Sequence, residues 1–201
     1  MLCVNWGMSK RSGRVHDAPG YILHATAWRE TSLILQVFTR HYGISALIAK
    51  GAKRPYSALR ATLVPFQPVL FDWSGAGEVR TLIRAELAGH LPMQGKAIMS
   101  AWYLNELALH MLARDDPHPN VFDAYHQALN SLAAGSQVVP ALRRYEWVLL
   151  RETGYGFDEP EPDFNNLARE PALRMQLRER LAQVLERPLR TRTLLMELQQ
   201  L

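Results

Sequence analysis

From Tyr21 onward, hydrophobic positions along the chain recur every second residue. Tyr21, Leu23 and Ala25 alternate with Ile22 and His24. Leu33, Leu35 and Val37 share one face, with Ile34, Gln36 and Phe38 on the other. Ile44, Ala46 and Ile48 follow, with Ser45 and Leu47 opposite. A period of two is the signature of strands. Arg29-Glu30-Thr31 and His41-Tyr42-Gly43 break the runs as turns. Residues 68–73 and 78–84 add a further pair, joined as a hairpin by Ser74-Gly75-Ala76-Gly77. These connections look too short for parallel crossovers, so the pattern predicts antiparallel pairing. A sheet this small hides its edges best by closing on itself, which points to a five-stranded, partly open barrel of the OB type.

After Pro92 the period changes to 3.6. Residues 96–113 are apolar nearly all round, as suits a helix buried by several neighbours. Val121, Phe122, Tyr125, Ala128, Leu129 and Leu132 form a clean stripe that Gly135 ends. A third helix opens near Pro140 with Leu142, Tyr145, Leu149 and Leu150 inward, and stops at Gly154 and Gly156. Residues 157–170 are acidic and without period. Pro171 opens a fourth helix carrying Leu173, Leu177, Leu181 and Leu185, and a last short helix follows Pro188 through Leu194, Leu195 and Leu198. The expected fold class is therefore α+β in two parts. Residues 1–19 are read as a flexible leader, 20–90 as an OB-fold nucleic-acid-binding domain, and 91–201 as a helical domain of about five helices.

Composition changes this picture little, and charge changes it more. Of 201 residues, 48% are hydrophobic and 21% charged, an ordinary globular balance. There is no apolar run of membrane-spanning length and no secretory h-region, so a cytoplasmic protein is expected. The single cysteine, Cys3, makes neither an internal disulfide nor a structural zinc site alone. Residues 1–90 hold 11 Lys/Arg against 5 Asp/Glu, and residues 91–201 hold 12 against 14. A basic first part suggests a polyanionic partner.

The stretch Ala49-Lys50-Gly51-Ala52-Lys53-Arg54-Pro55-Tyr56-Ser57, followed by Arg60, places four cations in an exposed loop straight after a strand. Such cations neutralise phosphates and release counterions, and Tyr56 offers a ring for base stacking. A solvated loop kept soluble by charge has the same composition. Arg80 and Arg84 lie on one face of their strand with Leu82 between them, and Arg29 and Arg40 sit in turns. The candidate nucleic-acid track is thus Arg29, Arg40, Lys50, Lys53, Arg54, Tyr56, Arg60, Arg80 and Arg84. Trp28, Phe66, Phe71 and Trp73 are interleaved with it. A small barrel needs most of its aromatics inside, and Trp28, beside a turn, is the best exception.

Leu142-Arg143-Arg144 opens the third helix. Arginine beside an apolar cleft suits a short acidic-hydrophobic peptide or a chain-terminal carboxylate, so these three residues form a candidate partner-peptide site. Gly75-Ala76-Gly77 lacks the rest of a dinucleotide fingerprint. The seven histidines show no paired metal spacing, and no serine sits in a G-x-S-x-G frame. No catalytic set emerges, no cofactor or metal is expected, and the chain reads as a non-enzyme.

Several segments resemble the RecO family of bacterial recombination mediators. They are Trp28-Arg29-Glu30-Thr31-Ser32, Ala49-Lys50-Gly51-Ala52-Lys53-Arg54, Pro65-Phe66, Gly77-Glu78-Val79, Tyr103-Leu104-Asn105-Glu106-Leu107, Ala141-Leu142-Arg143-Arg144-Tyr145-Glu146 and Gly154-Tyr155-Gly156. The resemblance covers about residues 20–158. It implies an N-terminal OB fold, a helical C-terminal part, binding of single- and double-stranded DNA, and annealing of complementary strands. It also implies help in placing the RecA recombinase on strands coated by single-strand-binding protein, in double-strand break and gap repair near the nucleoid. RecR is an implied partner. So is the acidic, Phe-terminated tail of single-strand-binding protein, docking near Arg143. Many relatives carry four cysteines for zinc after the third helix; this chain has none there, and its stretch 158–175 looks abbreviated. The rival reading is a protein-binding adaptor that recognises an acidic peptide through its helices and uses the barrel as support.

Overall fold

A computed structural model describes residues 13–185 and 187–191. Five strands form a closed barrel in the order β1-β2-β3-β5-β4: β1 (Arg14–Trp28), β2 (Ser32–Thr39), β3 (Gly43–Ala49), β4 (Val69–Ser74) and β5 (Val79–Leu87). This is the OB-type barrel expected. Three details differ from the expectation. First, β1 begins at Arg14, so residues 14–19 are not a leader; Arg14 and Val15 pair with Ser74 and Trp73, and Ala18 with Phe71. Bulges at Val15/Ala18 and Ile22/His24 hide the period of two there, and they let one long strand pair with β4 by its first half and β2 by its second. Residues 1–12 of the leader lie outside the described residues. Second, β3 and β5 are parallel, with Ala46, Leu47 and Ile48 beside Val79, Arg80 and Thr81. The segment 50–68, with its one-turn helix α1 (Leu59–Thr62), is long enough to cross the barrel end, so closure joins two strands of the same direction. Third, Arg80 and Arg84 do not share a face. A bulge at Asp72/Trp73 interrupts the alternation, leaving Leu82 buried in the barrel interior and Arg84 outside.

Gly20 stands where β1 turns from one neighbour to the other. A Cβ there would lie 2.7 Å from the Phe38 carbonyl oxygen, so no other residue fits.

Four helices follow the barrel among the described residues: α2 (Lys96–Met111), α3 (Pro119–Ala134), α4 (Val138–Glu152) and α5 (Glu170–Val184). Gly135 ends α3 in the left-handed conformation, as its position predicts. The last short helix expected after Pro188 falls mostly outside the described residues. The acidic stretch after α4 is held by aromatic packing. The Trp147 and Phe157 rings stack at 5.0 Å, and the Arg180 guanidinium lies 4.7 Å from the centre of Phe157. No described helix is long and apolar enough to cross a membrane.

Two cores result. One fills the barrel with Ile22, Leu35, Val37, Leu47, Phe71 and Trp73. The other lies between the outer barrel wall (Tyr21, Leu23, Phe38, Ile44) and the helices. A buried strap crosses this seam. The Asn105 side-chain amide donates to the Leu23 carbonyl at 2.9 Å, and the Tyr125 hydroxyl donates to Asn105 Oδ1 at 2.5 Å. Where the loop 112–118 meets the turn before β3, the fit is equally close. A Cβ on Gly43 would lie 2.2 Å from the Asp116 carbonyl oxygen.

Candidate nucleic-acid and peptide interfaces

The β1–β2 turn and the loop after β3 meet at one end of the barrel. Arg29 adopts a positive φ of 52° and Gly51 one of 71°, which turns both segments sharply. The Lys53 N–H donates to the Thr31 carbonyl at 2.8 Å and stitches them together, and the Arg54 N–H closes a tight turn on the Gly51 carbonyl at 3.1 Å. Arg29, Lys50 and Arg54 thereby line one depression of about 550 Å³ with Thr31, Ser32 and Glu30. Lys53 and Arg60 line a second of about 330 Å³ against Leu33, Leu59 and Leu63. Tyr56 stands fully exposed on the same loop, with a φ of 64°. None of these five cations is ion-paired to a carboxylate among the described residues.

The other three expected members of the track sit apart and are occupied. Arg40 makes a two-pronged contact with Asp123 of α3, both N–O distances 2.9 Å, and the carboxylate raises its pKa further. Arg80 donates to Asp115 at 2.6 Å and to the Ser45 hydroxyl at 2.8 Å. Arg84 lies among Asp17, Asp72 and Glu86. Burial pushes the Asp72 carboxyl up, but the Asp17 N–H, His16 and Arg84 outweigh it and hold Asp72 below the usual range. Three carboxylates around one guanidinium repel a phosphate rather than attract it. The partners Asp17, Asp72, Asp115 and Asp123 are distant in sequence, so no local pattern announced these pairs. Of the interleaved aromatics, Phe66, Phe71 and Trp73 are buried, and Trp28, 44% exposed at the end of β1, is the exception.

The helices enclose a pocket of about 560 Å³ between α2, α4 and α5. Leu142 and Arg143 line it. Arg144 does not; it points to α3 and donates to Gln127 Oε1 at 2.7 Å. Arg174, Arg178 and Arg187 supply cations, and Leu181, Leu185 and Leu189 supply an apolar wall. The spacing of Arg174 and Arg178, one turn apart beside Leu177 and Leu181, was the signal available for them. At the pocket floor Glu146 is 2% exposed. It accepts from the Tyr103 hydroxyl at 2.9 Å and pairs with Arg143 at 3.0 Å. Burial raises the Glu146 pKa against the pull of Arg143 and Tyr103. The Arg143 Nε is buried and unpartnered among the described residues. No group of three or more His, Cys, Asp or Glu among them is placed to hold a metal ion.

Residues 14–90 match the family profile described as recombination protein O N terminal, and residues 92–160 match that of recombination protein O C terminal. The chain belongs to the RecO family. Proteins named DNA repair protein RecO are among its relatives. That of Aromatoleum aromaticum is 53% identical over 144 residues, covering 71% of this chain and 60% of the relative. Those of Azoarcus sp. (51% over 146 residues, 72% and 60%) and Ralstonia nicotianae (54% over 143 residues, 71% and 53%) are similarly close. The chain thus spans between half and three fifths of the length of these RecO relatives. The helix α5 lies beyond the residues that the family profiles match.

Proposed function

We propose that the chain acts in recombinational DNA repair as a non-catalytic mediator. It binds single- and double-stranded DNA at the barrel end formed by the β1–β2 turn and the loop after β3. The observation that carries this reading is the convergence there of Arg29, Lys50, Lys53, Arg54 and Arg60, with Tyr56 beside them, none of the five ion-paired to a carboxylate among the described residues. Unpaired cations release counterions when a sugar–phosphate strand docks, and an exposed ring stacks a base of any identity. Annealing needs no covalent step. It needs charge neutralisation and two strands held close, followed by transfer to the recombinase on strands first coated by single-strand-binding protein. RecR is the partner expected alongside it, RecA the protein it serves indirectly, and the nucleoid the place of work. The test is annealing of complementary oligonucleotides coated with single-strand-binding protein, with and without the chain. Acceleration supports the reading, and an unchanged rate rejects it.

A second interface is favoured by the helical pocket, whose basic rim and leucine wall suit an acidic peptide ending in an apolar residue, such as the tail of single-strand-binding protein. Leu142 forms part of that wall. The two readings are compatible, since the pocket recruits the chain to coated strands and the barrel end handles the strand itself.

A further inference from the structure

The two depressions at the barrel end share no lining residue and differ in kind. The larger is edged by Arg29, Lys50 and Arg54 with the polar turn Glu30-Thr31-Ser32. The smaller, of about 330 Å³, opens between β2 and α1 onto an apolar floor of Leu33, Ala52, Leu59 and Leu63. Ala52 and Leu63 belong to the barrel core, so this floor is an end of that core left uncovered. Ala52, with a single methyl group, is the smallest lining residue and leaves the space unfilled. Lys53 and Arg60 complete the lining, both exposed and neither ion-paired to a carboxylate among the described residues. The volume falls at the low end of the range for small-molecule sites, ~300–1,000 Å³. An apolar hollow flanked by two cations suits a flat ring attached to an anionic chain, which is the make-up of one nucleotide of a strand.

Resting on the DNA reading above, we infer that this hollow is a base pocket: Leu33, Ala52, Leu59 and Leu63 take up one unstacked base, and Lys53 and Arg60 hold the phosphates on either side of it. Only a base out of the stack can enter. In a duplex that entry breaks a pair and two stacking contacts, and it costs least where the base is already single. Duplex DNA therefore meets the cations alone, whereas a single strand meets the cations and the pocket. Apart from the two cations, the described lining side chains are aliphatic, so the base is held by its apolar faces with little regard to its identity. Tyr56, exposed on the same loop, is not part of this lining and stacks a different base outside it.

The test compares a labelled thymidylate dodecamer with an abasic strand of the same length by fluorescence anisotropy. It uses the full chain carrying Tyr56→Ala, so that stacking outside the pocket is removed. That chain is expected to bind the thymidylate roughly tenfold tighter than the abasic strand. Adding Ala52→Leu, which fills the hollow, is expected to bring the two strands within about twofold while the salt slope stays unchanged, since Lys53 and Arg60 remain. Leu59→Gln, at a half-buried position, removes apolar wall without crowding the core and is expected to cut the preference roughly threefold. It decides the matter if a thermal melt shows that Ala52→Leu does not fold. Equal binding of the two strands by the Tyr56→Ala chain, or a preference that survives intact in whichever variant folds, overturns the pocket and leaves the DNA reading in place. Failure of the unmodified chain to bind either strand overturns both.

Discussion

Reversing two charges in the loop after β3 tests the DNA interface most directly. In Lys53→Glu with Arg54→Glu, two of the five converging cations become anions at the edge of the two depressions. The fold has little reason to respond. What joins this loop to the β1–β2 turn is the main-chain N–H of Lys53, and Arg54 closes its turn through its own main-chain N–H. If all five cations meet phosphates of a single strand, each adds about 0.7 to the salt slope, giving ~3.5, and the variant falls to ~2.1. Over a fourfold rise in salt the parent then loses ~2 decades of affinity and the variant ~1.3. Repulsion from the new carboxylates comes on top, so affinity at moderate salt drops roughly tenfold or more, about 1.4 kcal/mol. Anisotropy titrations with a labelled oligonucleotide at several salt concentrations read both quantities, with a thermal melt to show that the barrel is intact. Unchanged affinity with an unchanged slope refutes the reasoning. Arg84→Gln serves as contrast: its guanidinium already lies among three carboxylates, and its loss is expected to leave DNA binding within about twofold.

Tyr56→Ala is expected to weaken single-strand binding by about 1–3 kcal/mol and duplex binding far less, as filter binding with both substrates shows. Asn105→Ala leaves the Leu23 carbonyl and the Tyr125 hydroxyl without their partner, and chemical denaturation is expected to show a loss of about 2 kcal/mol or more. Glu106→Gln weakens the anchoring of residues 190 and 191, whose N–H groups the carboxylate accepts at 2.7 and 3.0 Å, by about 1 kcal/mol at neutral pH. Burial pushes Glu106 up, but the bonds from Thr191 and Arg190 outweigh it and lower its pKa below the ordinary 4.5. Its contribution is therefore complete above pH 4.5 and fades as pH falls through the lower folded value, so urea melts of parent and variant are expected to converge in acid.

The strands and helices were readable because burial imposes a period that the residues must obey. The alternation around Leu35 and Val37 and the stripe from Val121 to Leu132 mark their elements clearly. Where a bulge interrupts the ladder, the period fails. For that reason the first half of β1 looked unstructured, and Arg80 and Arg84 looked like neighbours on one face. The parallel β3–β5 pair was hidden because closure depends on where a long linker travels, which composition does not state. At the candidate site, the cations of the loop after β3 were legible as a cluster, since they are consecutive in sequence. Which cations remain available was not. Asp123, Asp115, Asp17 and Asp72 reach Arg40, Arg80 and Arg84 only through the tertiary fold, and the same holds for α5 swinging Arg174 and Arg178 beside Leu142.

The apolar seam beneath α2 and α3, where Tyr21, Phe38 and Ile44 of the barrel wall meet Phe122 and Tyr125, has a mechanical consequence. With ring contacts of 5.3 Å across it and Asn105 tied through it, the seam packs the barrel wall directly against α2 and α3. On the proposed reading, a peptide held in the helical pocket and a strand held at the barrel end would therefore keep a constant spacing. The length of tether between that peptide and the protein coating the strand would then set which nucleotides come within reach.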